Sequence, residues 1–143
     1  MTYENNDNME YQSLYSLVKS LIMQIPDDCY LYVGPDIYRL IDEEVCLDFL
    51  GSVVALDNDY EWYCERFKLS HQCKEYLLSE DNFLIMIYYF CHYMIRDEDK
   101  IYVVVFDGCH FDIDASIKIP QKVIAECERE FEMDFRFSSP VIL

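Results

Sequence analysis

The sequence predicts an α+β fold: one domain built on a small, partly antiparallel sheet with a C-terminal hairpin, and with helices packed on that sheet. Apolar residues recur at three- and four-residue spacing between Met9 and Ile25, which is the period of an amphipathic helix. The run "KIYVVVF" (100–106) is dense in β-branched residues, and the Asp107-Gly108 turn signal and an alternating segment follow it. With 143 residues, 52% of them apolar and 16% aromatic, the chain can bury one core over 1–143 and is too hydrophobic for a disordered acidic tail.

Taken in order, residues 1–8 ("MTYENNDN") are polar and are expected to fray. The first helix places Tyr11, Leu14, Tyr15, Val18, Leu21, Ile22 and Ile25 on one side, with Asp7 or Asn8 as its cap and Pro26 as its stop. "CYLYV" (29–33) reads as a short strand ended by Gly34-Pro35. A helix suits Asp36 to Phe49, although 45–56 also reads as a strand. Three helical stretches are expected at 59–68, at 70–78 after Ser70, and at 81–95 after Ser79 or Asp81. The last is apolar all round, which marks a central element. Its apolar run "FLIMIYYFCHYMI" (83–95) is too short to span a bilayer. Strand 100–106 turns at Asp107-Gly108 into a returning strand over 109–119. Pro120 suits the first position of a helix reaching about Asp134, and "FRF" (135–137) adds a short last strand. No linker, repeat or low-complexity segment interrupts this order.

"DGCHFDIDASI" (107–117) gathers a cysteine, a histidine and three aspartates. Phe111, Ile113, Ala115, Ile117 and Ile119 alternate with His110, Asp112, Asp114, Ser116 and Lys118, as a half-buried strand requires for folding alone. His-x-Asp-x-Asp could offer three ligands on one strand face, but nothing else in the sequence completes a metal set. The expectation is a solvated strand face, with no metal and no cofactor. His71 and Cys73 flank a helix start, and Cys91 and His92 point about 100° apart on a helix, a poor nucleophile–base geometry. No hydrolase, P-loop, zinc-protease or dinucleotide fingerprint occurs, so no enzymatic activity is expected. The seven cysteines include no CxxC and sit among apolar neighbours, so they read as reduced thiols of a cytoplasmic protein. Met1 to Glu10 carries acid where a signal peptide needs positive charge, and no export signal is read there.

Charge is the dominant feature. Twenty-eight acidic residues against 11 basic ones give −17 at pH 7, beyond the roughly 2–8 units that suffice to keep a small domain soluble. Nucleic acid is not expected as a ligand, because phosphate contacts need Lys/Arg clusters and none is visible. A basic protein partner is expected instead. The tract "ALDNDYEWYCERF" (55–67) interleaves acids with aromatics, and Asp57, Asp59, Tyr60, Glu61 and Trp62 form a candidate contact surface of hot-spot composition. The same pattern also suits Trp62 to the core. In "AECEREFEMDF" (125–135), Glu126, Glu130 and Asp134 fall in one row at four-residue spacing, either a solvated helix face or one wall of a binding surface.

Small size, strong acidity, aromatic richness, thiols suited to the cytosol and the lack of catalytic signatures together resemble the bacterial toxin-immunity proteins, including those of contact-dependent inhibition systems. "DNDYEWY" and "EREFEMD" are the kind of tract such proteins expose. The resemblance is a whole-chain profile without a motif. It implies a cognate toxin, often a nuclease, whose basic cleft an acidic plug would block. A phage-type DNA mimic of the anti-restriction or anti-CRISPR kind shares the charge argument, and a small metal-dependent enzyme centred on His110, Asp112 and Asp114 is the third class.

Overall fold

The computed structural model describes residues 2–34, 53–54, 63, 65–138 and 141–142. Helix α1 spans Thr2–Met23. It therefore starts well before Met9, in the segment expected to fray. Nothing in that polar stretch is a breaker, since neither Gly nor Pro occurs between Thr2 and Met23. Its core stripe is as the spacing predicts: Leu14, Val18, Leu21 and Ile22 are at most 1% exposed, and Leu17 joins them. Fully burying each such side chain stabilises by about 1.5–3 kcal/mol, which outweighs any intrinsic helix preference of the segment. The helix stops ahead of Pro26, as expected.

Among the described residues eight strands form one sheet: β1 Tyr30–Val33, β2 Val53–Val54, β3 Glu65–Lys68, β4 Tyr93–Arg96, β5 Lys100–Phe106, β6 His110–Asp114, β7 Asp134–Ser138 and β8 Val141–Ile142. Their spatial order is β2-β3-β1-β4-β5-β6-β7, and β8 pairs with the start of β5. Every pairing is antiparallel except β6 with β7. Helix α2 covers His71–Leu77, and α3, Gln121–Phe131, makes the crossover that the parallel β6–β7 pair requires. The fold is α+β, with the expected C-terminal hairpin formed by β5 and β6.

The helices share one face of the sheet. Leu31, Val33, Phe67, Ile95, Val103, Val105, Phe111 and Ile113 pack there with the α1 stripe, with Cys73 and Leu77 of α2, and with Cys127 of α3. Polar ties fix the layers. The Gln24 amide donates to the Lys118 carbonyl at 2.7 Å and accepts from the Lys118 N–H at 2.8 Å, joining the end of α1 to the approach to α3. Lys74, buried on α2, donates to the Ile25 carbonyl and to Asp27. The ammonium beside Asp27 holds that carboxyl below its ordinary range.

Several expected elements differ from those found. The helix at 59–68 is replaced by strand over Glu65–Lys68, where Phe67 pairs with Leu31 and is fully buried; 59–62 and 64 lie outside the described residues. The helix at 81–95 is replaced by turns, a π-helical turn at Ile85–Tyr89, and β4. All four residues of β4 are buried, so both faces of this central strand are covered. A strand covered on both sides shows the same continuous apolar run as a buried helix, and periodicity alone does not separate them. The proposed 36–49 helix lies outside the described residues, and of 45–56 only Val53–Val54 is described, as strand. Ser70 caps α2 as expected, accepting from the Cys73 N–H at 3.2 Å. The returning strand ends at Asp114 rather than 119, and α3 ends at Phe131 rather than 134, where Glu132 takes a left-handed φ of 54°.

Candidate functional site

The hairpin turn positions the site. Asp107 and Gly108 adopt left-handed φ of 54° and 70° in the three-residue loop between Phe106 and its strand partner His110, and the Cys109 N–H closes the turn on the Phe106 carbonyl at 3.1 Å. The Gly108 N–H donates to the Cys91 carbonyl at 2.8 Å, and a Cβ there would stand 3.3 Å from the Ile87 carbonyl oxygen. This docks the hairpin tip on the segment before β4. His92 packs edge-on against Phe106 at 5.7 Å and faces the Asp107 carboxylate at 3.4 Å.

β6 runs from this tip with alternate residues on the sheet face away from the helices. On the β1 side of that face Tyr32, Tyr63 and Met94 form a second, small core. Tyr32 and Tyr63 meet edge to face at 6.1 Å, and burial pushes the Tyr63 phenol up to about 12. Arg66 lies 4.3 Å over the Tyr30 ring and donates to the Tyr32 hydroxyl at 3.2 Å. On the β5–β7 side the face is polar and open. His110 Nδ1 meets Asp134 Oδ2 at 2.6 Å, and Arg136 Nε stands 3.6 Å from Asp112 Oδ1, both as cross-strand partners in register. Phe106 stands at the edge of this face, 42% exposed.

Asp114 departs from the sequence expectation. Its alternation placed it on the solvated face, yet its side chain is 0% exposed. Oδ2 accepts from Lys100 Nζ at 3.2 Å and from the hydroxyl and N–H of Ser116. Burial acts to raise this carboxyl, but the Ser116 hydroxyl and Lys100 outweigh it and hold it below its ordinary range. The strand ends here because Ile117 N–H donates to the Asp114 carbonyl at 2.9 Å, closing a turn. His110, Asp112 and Asp114 are therefore each engaged by a different neighbour, and they do not converge on one point.

The other expected site residues are dispersed. Asp57, Asp59, Tyr60, Glu61 and Trp62 lie outside the described residues. Glu126 is half-buried between α1 and α3, where it accepts from the Ser13 hydroxyl. Glu130 is exposed and pairs with Arg129 at 3.0 Å. Asp134 lies beyond the end of α3, in β7, facing His110. Helical spacing would have aligned these three, but the chain changes structure between the second and the third, so they form no common wall. The polar face of β5–β7 was missed because its composition depends on β6 pairing with β7 across a helix, which no local pattern encodes.

One further group brings ligand-type atoms together: those of Asp28, Cys29 and Asp97 lie within 4.8 Å of one another. The Asp97 oxygens are already used, one by the N–H groups of Asp99 and Lys100 at 2.8 Å and the other by the Tyr102 hydroxyl at 3.1 Å. Burial, with Asp97 and Asp28 adding to it, pushes the Cys29 thiol up to about 12, which disfavours the thiolate a metal would need. Asp97 thereby stabilises the turn between β4 and β5. The described cysteines (29, 73, 91, 109 and 127) are free thiols, and burial raises Cys73 to about 12 and Cys127 to about 11. No helix among the described residues is long and apolar enough to cross a membrane. No protein-family model, curated protein or solved structure matches this chain.

Proposed function

We propose that the chain is an acidic binding protein that occludes a basic protein partner, in the manner of a toxin-immunity protein, without catalysis of its own. The observation that carries this reading is the net charge of −17 on a folded, aromatic-rich domain. Self-repulsion of that size opposes compaction, so an α+β core is being kept together against it. Complementary charge on a partner would relieve the repulsion, speed encounter and set specificity. The open face of β5–β7 adds a surface that mixes Phe106 with Asp112, Asp134 and His110, away from the helix layer. Mimicry of DNA would call for parallel carboxylate rows, and the described Glu126, Glu130 and Asp134 do not make one.

Co-expression with the product of the adjoining reading frame tests the reading. A basic toxin should arrest cells when expressed alone and spare them when this chain is present, with the two recovered as a complex. Failure of the chain to protect against, or to bind, an arresting basic product would overturn it.

A further inference from the structure

Strand β7 ends the strand order, with β6 on one side and, among the described residues, no strand on the other. Its hydrogen bonds fix which way its backbone turns. The Asp134 N–H donates to the Cys109 carbonyl, and the Ser138 carbonyl accepts from the Ala115 N–H, both at 2.8 Å. Successive residues of an extended strand turn their N–H and C=O groups to opposite edges. Asp134, Arg136 and Ser138 therefore face β6, and Phe135 and Phe137 present their N–H and C=O groups to the outer edge. Such a row is a template for a further strand. Phe135 stacks on Phe111 at 4.9 Å on the helix side of the sheet, while Phe137, opposite the buried Ile113, is 41% exposed. An exposed aromatic on an open edge is the opposite of the protection that edge strands usually carry.

Charge decides what fits there. Between Glu128 and Ser138, Glu128, Glu130, Glu132 and Asp134 are all exposed and outnumber Arg129 and Arg136. Both of those bases are already drawn to acids, Arg129 to Glu130 and Arg136 to Asp112. Burial, then Asp107, Asp134 and Glu132, raise the Cys109 thiol above its ordinary range, so three carboxylates gather where this edge begins. A second copy of the chain would bring another −17 to the same edge. We propose that the outer edge of β7 takes up an extended segment of the basic protein partner as an added strand, with apolar side chains against Phe137 on the helix side and a lysine or arginine beside Asp134 on the other. This assignment rests on the functional reading above and names how that partner is held. Main-chain hydrogen bonds to Phe135 and Phe137 supply the grip, and the alternate side chains supply the selection.

The test uses the full chain and a strand-forming basic peptide, acetyl-KVKVKVK-amide, with acetyl-EVEVEVE-amide as its acidic counterpart, followed by ¹H–¹⁵N NMR. The basic peptide should give saturable shifts centred on 134–138 and slow the hydrogen exchange of the Phe135 and Phe137 amides at least tenfold, and the acidic one should do neither. Only alternate amides of a strand face its neighbour, so N-methylation of the basic peptide at its valines alone or at its lysines alone should abolish binding in one case and spare it in the other. Phe137→Pro removes an outward donor without touching the bonds to β6, a position where an edge strand tolerates proline, and should weaken binding at least tenfold. If that variant does not fold, the two methylated peptides decide on the wild-type chain. Equal effects of the two methylations, equal binding of the acidic peptide, unchanged exchange at Phe135 and Phe137, or a concentration-dependent dimer that buries β7 would overturn the proposal. Salt-sensitive binding of a basic partner that leaves these two amides unprotected would remove only this inference. Peptide uptake by β7 in a chain with no basic partner would remove the functional reading instead.

Discussion

Asp97 and Asp114 show how single side chains hold this fold against its own charge. Burial acts to raise the Asp97 carboxyl, but the N–H groups of Asp99 and Lys100 and the Tyr102 hydroxyl outweigh it and lower it. Asp114 is lowered by Ser116 and Lys100 against the same opposing burial. A carboxyl whose folded pKa lies below its unfolded value of about 3.9 contributes stability that is complete above that value and is lost as pH falls through the folded one. Protonation of the remaining acids relieves self-repulsion over a similar range, so wild-type stability alone does not isolate the effect. Asp97→Asn does, because it keeps an acceptor oxygen and removes the charge. Urea unfolding should show this variant less stable than wild type at pH 7, with the gap closing below pH 4. A gap that stays constant down to pH 2.5 would show that Asp97 acts through shape alone.

Among the elements, the segment from Phe83 to Arg96 is the most instructive. Phe83, Ile87, Phe90 and Met94 are each no more than 8% exposed, so the expectation of a central segment holds although its helix does not. Phe90→Ala should cost about 3–5 kcal/mol, a large part of a stability of about 5–15 kcal/mol. Tyr88→Ala, two residues away and 49% exposed, should cost clearly less than Phe90→Ala. Equal denaturation midpoints for the two variants would contradict the packing described here. The elements that were legible carry their own period or punctuation: the α1 stripe, "KIYVVVF", Asp107-Gly108 and the Ser70 cap. Those that were not legible depend on partners distant in sequence. β4 is identified by β1 and β5 on either side, β3 by β1, and the ion pairs of the open face by the β6–β7 register. Asp114 was misplaced for the same reason, since alternation gives the face of a strand and not what Lys100 and Ser116 bring to it.

For the whole molecule the central matter is what a charge of −17 is for. Distributed carboxylates raise the rate of encounter with a basic surface, while anchoring side chains set the lifetime of the complex. The tract of Asp57, Asp59 and Glu61 beside Tyr60 and Trp62 is the sequence's own candidate for such a surface, and the β5–β7 face is one that the described residues expose. The most direct measurement is the association rate and affinity of this chain for the product of its adjoining gene, at 0.1 M and 1 M salt. Between these conditions the Debye length falls from about 10 Å to about 3 Å. The account predicts a fall of at least tenfold in association rate at high salt, and a comparable fall at 0.1 M when Asp57, Asp59 and Glu61 are reversed to Lys together. Binding that is unchanged by salt and by the folded triple variant would contradict it, and would leave the acidity as a device for solubility.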